Sequence, residues 1–413
     1  MLKSLEPYKK LHNAILYCIT AEFFIQLIDA AYLTILLVYM AKVGYSDTIS
    51  ADFLGYRFLG VLLLSFPLGF YIKGRRIRPL FYMSAIFTPL LSLAVVYAVE
   101  LKMDLAIYVG MFLLGLSILG LQVSMIPFIM RNVPSRRHTE AISLSYSTYS
   151  LGAIVSGVLI FTLSKINPNF FNEGTILKLI SLLSLGSIFF VWKSSIKKEF
   201  YVPILKRSRY DLKDFDWGLI VKAMIPTTLI ATGAGLAIPF IGLFFFKIHN
   251  IDSNTFAILS AITTVLVFVM TIYVPKIKDK LGYKTTVTGS QSTAVLFLAG
   301  LATSEFYAEL GFAPIIAAIC FLLRQPFMNI AAPMTSDLTM QYVGFRNREM
   351  VSALTAAIWS GSWFFSSKIF QILRENEVRY AYIFLVTAAL YVVGIIWYHY
   401  LMSELESREV KKD

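Results

Sequence analysis

Charged residues are scarce in this chain of 413 residues. Asp, Glu, Lys and Arg together make up 15% of it, whereas 57% is hydrophobic and the mean hydropathy is +0.69. A soluble domain needs roughly a quarter of its residues charged to present a wettable surface. The composition therefore excludes an ordinary soluble protein and predicts an integral membrane protein.

Cysteine and histidine are also rare, with two and four residues. Cys18 and Cys320 fall inside predicted helices, so we predict neither a disulfide framework nor a metal cluster. The histidines lie at span ends or in loops, which disfavours a histidine-based proton relay. Neither a Walker A pattern nor HExxH occurs in the sequence, and these are the patterns of nucleotide hydrolysis and of zinc proteolysis. We expect no metal, no cofactor and no enzymatic activity.

The sequence contains long runs without charged residues. Seven stretches of about 20 residues or more lack Asp, Glu, Lys and Arg, and each is long enough to cross roughly 30 Å of hydrocarbon as a helix. Five further apolar stretches contain isolated charges. We predict an all-α integral membrane fold with 12 transmembrane helices. Spans 1 to 12 are 13–42, 51–72, 80–99, 105–130, 141–164, 175–192, 223–246, 253–275, 285–304, 311–336, 349–372 and 380–403.

Lys and Arg are unevenly distributed between the two sides of these spans. The termini and loops of one side hold 26 of the 37 basic residues, and the opposite loops hold 6. Because basic residues accumulate on the cytoplasmic side, we predict a multi-pass protein of the cell (inner) membrane with both termini in the cytoplasm. Topology then explains the net charge of +12, and no nucleic-acid partner is expected.

The longest polar segment, 193–216, divides the spans into six and six. We interpret it as a cytoplasmic linker between an N-terminal six-helix bundle, 1–192, and a C-terminal six-helix bundle, 217–413. Internal repetition supports this division. The fifth span of each half is introduced by an Arg and a Glu, namely Arg137 and Glu140 in the first half and Arg348 and Glu349 in the second. Two halves in the same orientation are parallel repeats.

A basic loop also follows the second span of each half. With the 6+6 plan and the long central loop, these segments resemble the major facilitator superfamily, whose signature between helices 2 and 3 runs roughly Gly-x-x-x-Asp-Arg-x-Gly-Arg-Arg. In the first copy Lys73 stands where the Asp would be, whereas the second copy matches well from its Asp onward. The residues assigned to this gating motif are Gly69, Arg78, Asp279, Gly282 and Lys284.

The resemblance covers essentially the whole chain, and it implies two pseudo-symmetric bundles around a central cavity that helices 1, 4, 7 and 10 line. It also implies alternating access, with the motif holding one conformation through a carboxylate and an Arg. Span 5 has no Gly-Pro pair between Gly152 and Gly157, which argues against the drug-antiporter branch. The substrate is not specified by the resemblance.

Two acids lie well inside span 1. Glu22 and Asp29 are seven residues apart, nearly two helical turns, and therefore share one face of the helix. A low local dielectric and mutual repulsion both favour the neutral form of an acid, so we predict proton coupling at one or both residues. The alternative is that each acid only neutralises a basic group, of which Arg57 in span 2 is the nearest in the topology. A structural charge pair is the favoured interpretation of Arg57.

Arg324 is the other charge deep inside a span. A charge near the middle of a membrane helix needs a partner or a water-filled cavity. Apart from Glu349 at the entrance of span 11, no carboxylate occurs within spans 7, 8, 9, 11 or 12 as predicted, so the partner must come from the N-terminal half, from an anionic substrate, or from carbonyls and water near Pro326. We predict substrate binding by Arg324 together with four polar side chains of spans 4, 5 and 10. These are Gln122, Tyr146, Tyr149 and Asn329.

Span 7 contains two glycines and a proline in its middle: Gly233, Gly235 and Pro239. This pattern predicts a hinge for gating, and close helix packing at the glycines is the alternative.

Taken together, these features predict a secondary active transporter of a small organic solute. We expect it to work by alternating access with proton coupling, as a monomer in the lipid bilayer. The alternatives are a uniporter or transporter-derived receptor with structural acids and, less favoured, a membrane-embedded enzyme. Arg324 favours an anionic or zwitterionic substrate, whereas the acids of span 1 favour a cation or a proton.

Overall fold

The computed structural model describes residues 11–45, 47–167, 170–194, 215–251 and 253–410. Within these ranges every regular element is helical. The lysines that precede span 1 and most of the predicted linker, 195–214, lie outside the described residues.

The twelve predicted spans correspond to twelve helical segments, three of which are interrupted. In the first half the helices are Asn13–Ala31 with Leu37–Val43, Asp47–Ile72, Arg78–Glu100, Asp104–Asn132, His138–Ile166, and Glu173–Ser184 with Gly186–Lys193. In the second half they are Trp217–Ala237 with Ile241–His249, Ser253–Leu281, Tyr283–Thr303, Ala313–Val343, Arg348–Glu375 and Tyr380–Val410.

Ten of these segments are long and apolar enough to cross a membrane. The other two, which are less apolar, are the helices of spans 9 and 11, Tyr283–Thr303 and Arg348–Glu375. Each carries serines, threonines and other polar side chains along its length. Such helices are tolerated when their polar groups face protein or a water-filled path rather than lipid.

The described residues form two compact units. The N-terminal unit holds residues 11–194 and a short piece of span 11, Ser352–Ala357, and the C-terminal unit holds 215–351 and 358–410. One core cluster of the N-terminal unit combines spans 2, 3, 4 and the piece of span 11. Its buried members are Val61, Ile72, Leu80, Leu119, Val123 and Ala353.

Buried hydroxyl groups join three helices of the N-terminal unit. The Tyr32 hydroxyl donates to the Ser92 carbonyl at 2.7 Å, and the Ser92 and Ser181 hydroxyls lie 2.6 Å apart. These contacts connect spans 1, 3 and 6. In an apolar environment short polar side chains permit close approach of helices and supply hydrogen bonds between them. A π-helical segment, Tyr32–Leu36, interrupts span 1 at the same level.

The C-terminal unit contains an interruption in span 7. The first helix ends at Ala237, and a 3-10 turn, Ile238–Phe240, precedes the second helix. Pro239 lies in this turn. Because proline lacks an amide hydrogen and its ring crowds the preceding turn, it explains why the regular helix stops there.

A cluster of charged side chains joins three helices of the C-terminal unit at the end that we predicted to be cytoplasmic. The Glu404 carboxylate accepts hydrogen bonds from Lys222 at 2.6 Å, from Arg408 at 2.8 Å and from Tyr342 at 3.0 Å. These four side chains belong to spans 7, 10 and 12. Their mutual satisfaction explains why the last helix continues to Val410, well beyond its apolar part.

Candidate functional site

Glu22 is buried in the middle of span 1 beside a serine of span 5. Its side chain is 7% exposed, and its Oε2 atom accepts a hydrogen bond of 2.6 Å from the Ser145 hydroxyl. Among the residues that the structure describes, no Lys, Arg or His of the N-terminal unit pairs with it. A buried carboxyl group that accepts a hydrogen bond from a hydroxyl and has no cation beside it is stabilised in its neutral form.

Asp29 has a different environment, although it lies on the same helix. Its Oδ1 atom forms an ion pair with the Nη2 atom of Arg57 in span 2, and the two residues are 6% and 5% exposed. The Tyr149 hydroxyl of span 5 lies close enough to Arg57 to interact with it electrostatically. A buried pair of opposite charges stabilises both charged forms. The structure therefore separates the two acids of span 1 by partner, one with a hydroxyl and the other with a guanidinium.

Glycines allow the helices to approach closely at both positions. A Cβ atom at Gly115 in span 4 would overlap the carbonyl oxygen of Arg57, and one at Gly152 in span 5 would lie 3.0 Å from the Cβ atom of Gln26 in span 1. Gln26 lies between Glu22 and Asp29 in the sequence. These glycines bring spans 4 and 5 against the helices that carry the charges.

Arg324 is buried in the C-terminal unit, and no carboxylate among the described residues of that unit pairs with it. Its side chain is 1% exposed, within the long helix Ala313–Val343. Its Nη1 atom donates to Gln325 Oε1 at 3.0 Å, and the guanidinium lies close enough to the Tyr391 hydroxyl in span 12 to interact with it electrostatically. The Nε atom has no hydrogen-bond partner. Since a charge at the centre of a membrane helix costs at least about 2.5–3.5 kcal/mol, neutral partners alone are a weak compensation.

The glycines predicted as a hinge lie at close contacts with neighbouring helices of the C-terminal unit. A Cβ atom at Gly233 would come within 2.9 Å of the Tyr391 ring, and one at Gly235 would come within 2.8 Å of Ser366. Thr387 also donates to the Gly233 carbonyl at 3.2 Å. These contacts are those expected from close packing, the alternative interpretation, and a hinge role of Gly233 and Gly235 stays a prediction. A gating role of the break at Pro239 stays a prediction.

The four polar residues predicted to assist Arg324 lie in several places. Asn329 is one turn beyond Gln325 on the same helix and donates to its carbonyl at 2.8 Å. Gln122 is exposed on the surface of the N-terminal unit, and Tyr146 and Tyr149 are exposed by 36% and 51%. Of the four, only Asn329 belongs to the same unit as Arg324, and it lies on the same helix. Substrate contacts of all four stay predictions.

The two motif loops have a related backbone. Gly282, between spans 8 and 9, adopts a positive φ of 80°, and Gly74, between spans 2 and 3, has a φ of 61°. Glycine accommodates this region without strain. The motif side chains have separate contacts. Lys284 donates to Ser403 at 2.9 Å, Arg78 donates to Tyr82 at 3.2 Å, Asp279 lies in the last turn of span 8, and Gly69 lies within span 2.

Three residues around the buried charges were not among the candidates from sequence: Ser145, Gln325 and Tyr391. Ser145 lies one turn before Tyr149, and Gln325 follows Arg324 directly, so both were close to residues already chosen. Tyr391 carried no signal beyond its hydroxyl in an apolar helix. Among the described residues, no three His, Cys, Asp or Glu side chains are grouped so as to hold a metal ion.

The helical spans and the charges buried within them define a multi-pass membrane protein of the transporter class. The family model of the Major Facilitator Superfamily matches residues 18–367, and the chain belongs to that family. It is a transporter rather than an enzyme and has the fold of the family, in agreement with the expectation from sequence. No curated protein matches the chain in sequence.

Solved transporters share this fold at low sequence identity. A bacterial homologue of the iron transporter ferroportin, in an outward-facing state, matches with a TM-score of 0.79 and 12% identity over 95% of this chain and 100% of the other. The E. coli fucose:proton symporter FucP matches with a TM-score of 0.71 and 13% identity over 95% and 99%. The proton:xylose symporter XylE matches with a TM-score of 0.70 and 12% identity over 93% and 94%. At this identity the similarity concerns the fold alone.

Proposed function

We propose that this protein is a secondary active transporter that couples the movement of a small organic solute to protons, and that Glu22 is the coupling acid. The observation that carries the proposal is the environment of Glu22, which is buried against the Ser145 hydroxyl and has no cationic partner among the described residues of its unit. Such a group is neutral at rest and releases its proton when water or a cation reaches it.

Asp29 is the less suitable proton carrier because it is paired with Arg57. Protonation of Asp29 would leave the guanidinium buried and uncompensated, which is strongly unfavourable. The pair instead holds spans 1 and 2 together at a fixed level. On this basis we assign a structural role to Asp29 and Arg57 and the exchangeable proton to Glu22.

The remaining parts of the proposal follow the expectations from sequence. The transporter works by alternating access as a monomer in the cytoplasmic membrane, with both termini in the cytoplasm. Two of the proteins with the same fold, FucP and XylE, are described as proton symporters, which supports proton coupling as a property that this fold can carry. The competing function is a uniporter in which Glu22 stays protonated throughout.

The test is transport in proteoliposomes with and without an imposed pH gradient. The solutes are those that raise the melting temperature of the purified protein, because a molecule that binds only the folded protein stabilises it. We expect the gradient to drive accumulation in the wild type, and Glu22→Gln to abolish accumulation while solute exchange continues. Ser145→Ala is the companion variant and should alter the pH at which coupling is half-maximal. Gradient-driven accumulation that survives in Glu22→Gln would refute the assignment.

A further inference from the structure

The buried charge of the C-terminal unit is unbalanced. No other Lys or Arg is buried in the described part of this unit, and no described Asp or Glu of the unit pairs with Arg324. Asp337 lies on the same helix, but roughly 20 Å further along its axis at about 1.5 Å per residue. The other described carboxylates of the unit lie in loops or toward the ends of helices.

The contacts of Arg324 resemble an anion site that is filled by neutral groups. The guanidinium offers five N–H donors, of which one meets the Gln325 amide oxygen at 3.0 Å, and the Tyr391 hydroxyl is near enough to interact with the charge. Gln325 is only partly buried, whereas Arg324 is 1% exposed. The Gln325 side chain, which holds one N–H of the guanidinium, is therefore the more accessible of the two.

A carboxylate is the anion that suits these donors. A hydrogen bond between a guanidinium and a carboxylate is about twice as strong as one between neutral groups, and two parallel N–H donors match its two oxygens. Such a group can displace the Gln325 amide from Arg324. A phosphate carries close to two negative charges at neutral pH, and one guanidinium without a second buried Lys or Arg does not balance it.

We infer that the transported solute carries a single carboxylate, which binds Arg324 by displacing the Gln325 amide and which also accepts a hydrogen bond from Tyr391. In this arrangement the carboxylate replaces the Gln325 amide oxygen as the acceptor for Arg324, and Gly233 provides the space that the Tyr391 ring needs. The inference rests on the proposed transport function and names its substrate class.

The first test uses the full-length protein without any added solute. An unpaired buried charge that is kept for binding lowers stability, so Arg324→Gln should melt at a higher temperature than the wild type, by about 3 °C or more. Arg57→Gln is the matched control, because it removes a buried guanidinium that has a carboxylate partner. It should melt at a lower temperature. A fall in Tm for Arg324→Gln similar to that for Arg57→Gln would overturn the inference.

Gln325→Glu supplies the missing carboxylate within the protein. We expect this variant to melt above the wild type, since the new side chain pairs with Arg324, and to lose any response to external carboxylates. A lower Tm for Gln325→Glu would mean that the guanidinium does not accept a carboxylate at this position, contrary to the inference.

The second test compares acids with their amides as probes: acetate with acetamide, benzoate with benzamide, L-lactate with L-lactamide, and L-alanine with L-alaninamide. Any rise in the Tm of the wild type should come from the acid of a pair and should vanish in Arg324→Gln. An amide that stabilises as well as its acid, or an acid that still stabilises Arg324→Gln, would overturn the inference. If none of these acids or amides stabilises the wild type, the inference is decided by the Tm values measured without solute, namely those of Arg324→Gln against Arg57→Gln and of Gln325→Glu against the wild type. None of these measurements uses a pH gradient, so proton coupling at Glu22 can fail while this inference stands, and the reverse.

Discussion

The pairing of Asp29 with Arg57 can be separated from the environment of Glu22 by a set of matched variants. The set consists of Asp29→Asn, Arg57→Gln, the double variant, and Glu22→Gln. Asp29→Asn and Glu22→Gln both replace a buried acid of span 1 by its amide. They lie seven residues apart on the same face, so the membrane environment is similar and the partner is the main difference.

The expected magnitudes follow from those partners. Removal of one member of a buried ion pair leaves a buried charge without a partner and costs about 3–5 kcal/mol. Asp29→Asn and Arg57→Gln should each lower stability by this order, or the Tm by roughly 6 °C or more. The double variant removes both charges and should be near the wild type. Glu22→Gln replaces a neutral acid by a neutral amide of the same shape, and its change should stay within about 1 kcal/mol, since only the bond from Ser145 is altered.

Thermal unfolding of the purified protein in one detergent measures all four variants, and expression in the membrane provides a second reading. The decisive quantity is the coupling energy, which is the difference between the effect of the double variant and the sum of the two single effects. We expect it to be several kcal/mol in favour of the pair. A coupling near zero would refute the structural role of the pair. A loss for Glu22→Gln as large as that for Asp29→Asn would refute the neutral state of Glu22.

Three further outcomes are expected, the first two from the structure and the third from the distribution of Lys and Arg in the sequence. Gly152→Ala should lower stability by about 1–3 kcal/mol, because its Cβ atom would lie 3.0 Å from Gln26, whereas Gly157→Ala meets nothing within 4 Å and should be neutral in the same unfolding measurement. Glu404→Gln should lower stability by about 1 kcal/mol or more, since Lys222 and Arg408 lose their shared carboxylate, and an unchanged Tm would contradict this. Tags at both termini and within 193–216 should be accessible only from the cytoplasm, and labelling of that segment from outside intact cells would reverse the predicted orientation.

The fold was predictable because hydropathy and charge act over whole helices. Uncharged runs of about 20 residues located most of the spans. The other spans could still be recognised as apolar stretches although they contain isolated charges. The ends of the helices were less predictable. Span 12 was expected to end at 403, whereas its helix continues to Val410. The continuation depends on Glu404 meeting Lys222 and Tyr342, which are distant in sequence, so no local pattern could indicate it.

The candidate site was predictable only in its charged residues. Spacing placed Glu22 and Asp29 on one face of span 1. It could not show that their partners differ, because residues two turns apart on one helical face contact different neighbouring helices. Ser145 of span 5 lies beside Glu22, and Arg57 of span 2 lies beside Asp29. These neighbours depend on how closely span 4 approaches span 2 and span 5 approaches span 1. Gly115 and Gly152 determine these distances through contacts that only the folded chain shows.

Arg324 shows why the partner of a buried charge, rather than the charge itself, carries the functional information. Adjacent residues on a helix point in different directions, so the sequence pattern gives no reason to group Gln325 with Arg324. The length of both side chains nevertheless allows the Gln325 amide to fold back onto the guanidinium. From sequence, a structural pair was the favoured interpretation of Arg57 and substrate binding that of Arg324, but no partner of either could be identified with certainty. Among the residues that the structure describes, Arg57 pairs with a carboxylate and Arg324 contacts neutral oxygens, and that difference makes Arg324 the residue from which the substrate can be sought.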